Sequence, residues 1–172
     1  MKTIIFRDEL DPETVQVLID EIEQPHVEVK EHDIRVLFSS IGGHSDMAEA
    51  VIDCINELPE KYDVELVITH QAVSAAFDIF VKTKCRKKLY EGANGIVHLF
   101  DRSVSTRDVI NTKGSYDEFL LKNINDMNEK YLWWLESLKI FTKKELKKIS
   151  QGRDVYVERE RLQKIIDNQN KK

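Results

Sequence analysis

Aliphatic runs at residues 34–38 and 64–69 are each followed by a stretch of helical periodicity, and this alternation constrains the fold more than any other feature of the chain. Short runs of β-branched and aliphatic residues read as buried strands, and the second run suits a parallel sheet covered on both faces. An earlier helix is expected from Asp11, a capping residue, and Pro12, which fits a first helical position. Val15, Leu18, Ile19 and Ile22 then fall on one face. After the first run, Ser45 can cap a helix carrying Met47, Val51, Ile52 and Leu58. After the second, a helix is expected over residues 72–81. Two further strands read at 88–90 and 95–100, joined by the turn Glu91-Gly92-Ala93-Asn94. The order β-α-β-α-β-α-β gives an α/β class built of stacked βαβ units.

The C-terminal part has a different character. Residues 102–115 are polar and read as loop. Between residues 116 and 140, Leu120, Ile124, Met127, Tyr131, Trp134 and Leu138 step by four and three, a heptad-like seam. A helix of about 25 residues would span nearly 40 Å, too long for the βαβ body, so it is expected to project. Trp133 and Trp134 on that helix suit an assembly surface. Thr142 and Glu145 form a capping-box pattern for a short helix ending before Gly152. Residues 154–157 read as a short strand, 158–166 as a last helix and 168–172 as a polar tail. The expected organisation is a single domain over residues 1–172, with a body at about 1–110 and 150–168 and a long projecting handle helix at about 115–149.

Composition excludes several classes. With 26 basic and 31 acidic residues in 172, the formal charge is −5, which leaves no basic footprint for nucleic acid. No apolar run reaches the roughly 18 residues of a membrane span. The apolar part of the N-terminus is too short for a signal peptide, so a cytoplasmic location is expected. Cys54 and Cys85 make no disulfide framework and have no zinc spacing. His44, His70 and His98 match no zinc signature, so neither metal nor cofactor is expected.

Taken singly, the polar residues at the strand ends have ordinary readings. Gly42-Gly43 makes a turn, Ser74 caps a helix, and His98 is a surface or core histidine. Their shared position gives them weight. Gly42-Gly43 follows one strand and precedes a helix, Ser74 follows the next strand, and His98 ends the last of the series. Sites in open α/β folds gather at the carboxyl ends of strands. Helix N-termini at Gly43 and at Ser74-Ala75 offer backbone N–H groups to a developing oxyanion. A serine nucleophile also needs an imidazole as base and a carboxylate to orient it. Asp154 is the candidate carboxylate, and Asp101 stands closer to His98 in sequence.

These segments resemble the proteolytic subunit of the Clp protease, a serine peptidase of the ClpP/crotonase fold, and the resemblance spans nearly the whole chain. Ser39-Ser40-Ile41-Gly42-Gly43 is similar to the family's Asn-Ser-Pro-Gly-Gly turn, and Gln71-Ala72-Val73-Ser74-Ala75-Ala76 to its nucleophile turn. Asn94-Gly95-Ile96-Val97-His98 is similar to its histidine strand, and Gly152-Arg153-Asp154-Val155-Tyr156 to its Arg-Asp segment. The resemblance implies Ser74 as nucleophile, His98 as general base and acid, and Asp154 as orienter. It further implies oxyanion N–H groups from Gly43 and Ala75, with Gly42 lining the substrate approach. A peptide or unfolded protein would be the substrate. The long helix would be the handle through which subunits dock into a homo-oligomeric ring, heptameric or two stacked heptamers. Ile41 in place of proline, His70 in place of glycine and Leu99-Phe100 in place of Gln-Pro mark a divergent member. An ATPase unfoldase has the least support among the implied partners, because the sequence opens almost at its first strand. Two other readings remain: an inactive ring subunit or scaffold, and a crotonase-type enzyme acting on acyl-CoA.

Overall fold

In the computed structural model, which describes residues 1–24, 33–59, 62–99 and 115–170, strands and helices alternate through the first half. The order is β1 (Lys2–Phe6), α1 (Pro12–Glu23), β2 (Asp33–Ser40), α2 (Ser45–Glu57), β3 (Asp63–Val73), α3 (Ala75–Lys82), β4 (Arg86–Leu89) and β5 (Asn94–Val97). Then follow α4 (Ser115–Ser137), α5 (Lys143–Ser150), β6 (Val155–Val157) and α6 (Arg159–Gln169). The six strands form one sheet in the order β1-β2-β3-β5-β6, and β4 also pairs with β3. β1 with β2, β2 with β3, and β3 with both β4 and β5 are parallel pairs. The α/β class expected from the alternation is what the chain forms.

Local chemistry explains the helix starts. The Asp11 carboxylate accepts from the N–H groups of Glu13 (2.8 Å) and Thr14 (2.9 Å), satisfying two donors that have no intrahelical partner. Ser45 does not cap α2 as expected. His44 occupies the cap position, with no side-chain cap bond, and Ser45 is the first helical residue.

Register explains the core. Ile4 lies opposite Val36, which lies opposite Leu66; Phe6 lies opposite Phe38, which lies opposite Ile68. In-register residues of parallel strands share a face, and all six of these side chains are buried. The Phe6 and Phe38 rings stack at 5.3 Å between centroids. α1, α2 and α3 pack successively on one another, with Val15, Leu18, Ile22, Val51, Ile52, Phe77 and Phe80 buried. Full burial of each large side chain contributes about 1.5–3 kcal/mol.

The other face of the sheet is wetter than the sequence suggests. Ile5 on edge strand β1 is 62% exposed, and only in the middle of β3 are consecutive residues, Leu66, Val67 and Ile68, all buried. Here Arg35 Nε meets its register partner Glu65 at 2.6 Å, and Arg86 of β4 meets Glu65 at 3.5 Å. A half-exposed ladder of this kind is worth about 1 kcal/mol or less per pair.

β3 runs past Thr69, where the aliphatic run stops, to Val73, and α3 begins at Ala75 rather than Ala72. Phe38 pairs with Ile68, but Ser40 pairs with Ala72, so β3 carries two extra residues across this step. Before the irregularity β3 pairs with β4 through residues 65–68; after it, β3 pairs with β5 through residues 71–73.

The chain forms two compact units, Met1–Val97 with Tyr156–Lys172, and His98–Val155. In the first, α6 buries Leu162, Ile165 and Ile166 and lies against β4 and β5. In the second, α4 and α5 pack together with Tyr131, Leu135, Ile140 and Ile149 buried. The handle region expected over about 115–149 holds a long helix and a short capped one. α4 stops at Ser137, and Lys139 takes a φ of 58°, a left-handed conformation that cannot continue a helix. The Thr142–Glu145 box starts α5, with Glu145 N–H on Thr142 Oγ1 at 3.2 Å and Thr142 N–H on Glu145 Oε2 at 2.8 Å. The heptad seam is not buried as one stripe. Tyr131 and Leu135 are buried, whereas Met127 is exposed and Trp134 is half-buried with its ring stacked on Tyr131. Pro25, Phe100, Asp101, all but the last residue of the loop expected over 102–115, and the tail residues 171–172 lie outside the described residues; that last residue, Ser115, begins α4.

Candidate functional site

Ser74 joins β3 to α3 with φ 55° and ψ −124°, a backbone region that favours glycine. A non-glycine residue held there costs about 1–3 kcal/mol, and such strain clusters at functional sites. Two backbone bonds hold the turn: Ser74 N–H donates to Ile96 O of β5 at 2.8 Å, and Ser74 O accepts from Phe77 N–H at 2.9 Å. Although Ser74 stands at the cap position, its side chain makes no cap hydrogen bond. The hydroxyl is half-exposed and not engaged by the helix, so the simple capping explanation fails for it.

The glycine turn lies against this serine. A Cβ on Gly42 would come 2.6 Å from Val73 O and 2.9 Å from Ser74 Cβ, and 3.4 Å from Ala75 N. Only glycine lets the two turns approach so closely. One on Gly43 would meet Leu10 O at 2.5 Å, and both glycines have positive φ, 92° and 143°. Leu10, fully buried, bridges the turn: its N–H donates to Gly42 O at 2.8 Å and its carbonyl accepts from His44 N–H at 2.9 Å. The Gly42–Gly43 peptide is planar and trans. Its carbonyl points at Leu10, so its N–H, on Gly43, points the opposite way. Gly43 is exposed. The Ala75 N–H, at the first residue of α3, belongs to the set that has no intrahelical acceptor. Among the described residues both N–H groups are without a protein acceptor, which is the condition an oxyanion site requires.

His98 is the residue after β5, two beyond Ile96, and it opens the second unit. Its Nδ1 lies 2.7 Å from Leu99 O. A carbonyl only accepts, so Nδ1 is the donor in this bond, and in the neutral ring Nε2 would be the acceptor. Asp154, one residue before β6, is exposed. The structure therefore brings Gly42, Gly43, Ser74 and Ala75 together in one unit, and sets His98 and Asp154 in the other. His44 is exposed at the cap of α2, and His70 is exposed on the irregular stretch of β3. Among the described residues no three His, Cys, Asp or Glu side chains are grouped as metal ligands, and no helix is long and apolar enough to cross a membrane.

No family model and no curated protein matches the sequence. Among solved structures the chain is similar to a mutant of ClpP1 from Listeria monocytogenes. The two share 18% identity over 95% of this chain and 86% of that one, with a TM-score of 0.66. The fold is ClpP-like. That likeness extends over nearly all of the chain.

Leu10 and Leu99 have parts here that the sequence did not reveal. Leu10 carried one signal: an apolar residue just before the Asp11 cap with Val15 five positions on, the spacing of a hydrophobic staple. The Leu99 carbonyl carried none, because any residue supplies one.

Proposed function

We propose that the chain is a serine endopeptidase of Clp type. The observation that carries this is the strained Ser74 turn, its hydroxyl free of capping, wedged against a glycine turn that leaves the Gly43 N–H open. In this reading Ser74 Oγ attacks a peptide carbonyl, and His98 Nε2 takes its proton and returns it to the leaving amine. The N–H groups of Gly43 and Ala75 receive the oxyanion, and Gly42 borders the approach. Asp154 orients and stabilises the imidazolium by replacing Leu99 O on Nδ1. The likeness to ClpP1 supports a peptide substrate and a homo-oligomeric ring in the cytoplasm, closed around its sites.

The test is hydrolysis of short fluorogenic peptides together with labelling by a fluorophosphonate. Label on Ser74, lost in Ser74→Ala and His98→Ala, is expected. Asp154→Asn should slow turnover by about 10⁴-fold if Asp154 orients the imidazole; an unchanged rate would leave that role to the Leu99 carbonyl.

A second reading, an inactive ring subunit, is favoured by one observation: His98 Nδ1 is engaged by its neighbour's carbonyl rather than by a carboxylate. Oligomerisation without turnover or labelling would select it.

A further inference from the structure

Ser40 is out of place by pattern. β2 turns Ile34, Val36 and Phe38 into the core, and Ser40 continues that face as a serine with 2% exposure. A hydroxyl at such a position is unfavourable unless it is bonded. Its bond is local: Gly42 N–H donates to Ser40 Oγ at 3.1 Å. Gly42 is thus held from both sides. The Ile41–Gly42 peptide is fixed by the Ser40 hydroxyl, and the Gly42–Gly43 peptide by Leu10 N–H on Gly42 O. Between them sits a glycine at φ 92° with no room for a Cβ against Val73 and Ser74.

We infer that Ser40 is a positioning residue for the oxyanion device, aiming the Gly43 N–H through Gly42. The inference rests on the peptidase reading given above. Ser40 touches no substrate in this role. Its hydroxyl sets the plane of the peptide before Gly42. The dihedrals of Gly42, the least restricted residue type, are then fixed from both ends instead of drifting. An oxyanion donor acts only when aimed in advance at the place where charge develops. Misplacement by about 1 Å can cost on the order of 10²-fold in rate.

The experiment compares the full chain with Ser40→Ala and Ser40→Thr in three readouts: the rate of fluorophosphonate labelling of Ser74, kcat and KM on a fluorogenic peptide, and hydrogen exchange of the Gly42 amide. Ser40→Ala should lower labelling and kcat by about 10–100-fold with KM nearly unchanged. It should also speed Gly42 exchange at least tenfold. Ser40→Thr, which keeps the hydroxyl, should restore both; should it fail to fold, Gly42 exchange in Ser40→Ala decides. Wild-type labelling in Ser40→Ala, a loss expressed only in KM, or unchanged Gly42 exchange overturns the positioning role. A wild-type chain whose Ser74 takes no label instead overturns the peptidase reading itself.

Discussion

At the scale of single residues, Ser74 is where stability and the proposed activity are in opposition. Its φ of 55° with ψ of −124° suits glycine, so Ser74→Gly should relieve strain that Ser74→Ala retains. The glycine variant should be the more stable of the two by about 1–2 kcal/mol, since release of 1–3 kcal/mol of strain exceeds the entropy glycine loses on folding. Urea unfolding of the two variants measures this. The cysteines give a prediction in pH. Burial, reinforced by Glu23 and Glu57, pushes the Cys54 thiol up to about 11, and burial raises Cys85 as well. At pH 8 about one Cys54 in a thousand is thiolate, so iodoacetamide should modify native protein slowly and urea-unfolded protein fast at both positions. The sign for stability follows. A thiol whose folded value lies above its unfolded value adds stability that is present below the unfolded value. That stability is lost as pH rises toward the folded one. Of the candidate site, the placement of Ser74, Gly42 and Gly43 was legible because chain order sets them at strand ends. Ser40 and Leu10 were not, because their parts depend on bonds that only the folded turn creates.

Among the elements, α1 and α5 show how much local chemistry fixes. Their caps, Asp11 and Thr142, stand where the sequence places them because side-chain oxygens and bare N–H groups meet within a few residues of each other. Thr142→Ala should lower stability by about 1 kcal/mol, read as a fall in the thermal midpoint followed through Trp fluorescence. Element ends were less legible. The strand read as ending at Thr69 reaches Val73, because His70 and Gln71 are polar and the hydrophobic pattern breaks although β2 and β5 still supply partners. The helix read over residues 116–140 ends at Ser137, a few residues early, where Lys139 takes a left-handed conformation that no periodicity reports, and the next helix starts at the expected Thr142 cap.

For the whole molecule, the α/β class was plain from the alternation of elements, while the one-sided burial of the sheet was not. Edge strand β1 has aliphatic residues on both faces, and only its partners decide that Ile4 is buried and Ile5 is not. Among the described residues the second unit carries a groove of mixed apolar and charged lining. Leu132, Trp133 and Leu146, with Glu136, Lys143 and Lys147, line an open groove of about 420 Å³, and Trp133 is 73% exposed. Under the ring reading this surface meets other subunits. Trp133→Glu should then shift the mass measured by light scattering to smaller species while the circular dichroism of the chain stays unchanged.

The irregular step in β3 has one more consequence. Thr69, His70 and Gln71 span the step, with Thr69 Oγ1 donating to Phe38 O at 3.3 Å and Gln71 N–H to Ser39 Oγ at 3.4 Å. Deleting two residues there would let Ser40 of β2 face its partner without a slip, and the ladder would become more regular. Ala72 would still face Ser40, so Ser74 would keep its register with the glycine turn, and the cost would fall on the passage of β3 from β4 to β5, which residues 69–71 bridge. Substitution of the exposed His70 should therefore be tolerated, whereas a change in the length of the stretch should be felt where β3 changes partner.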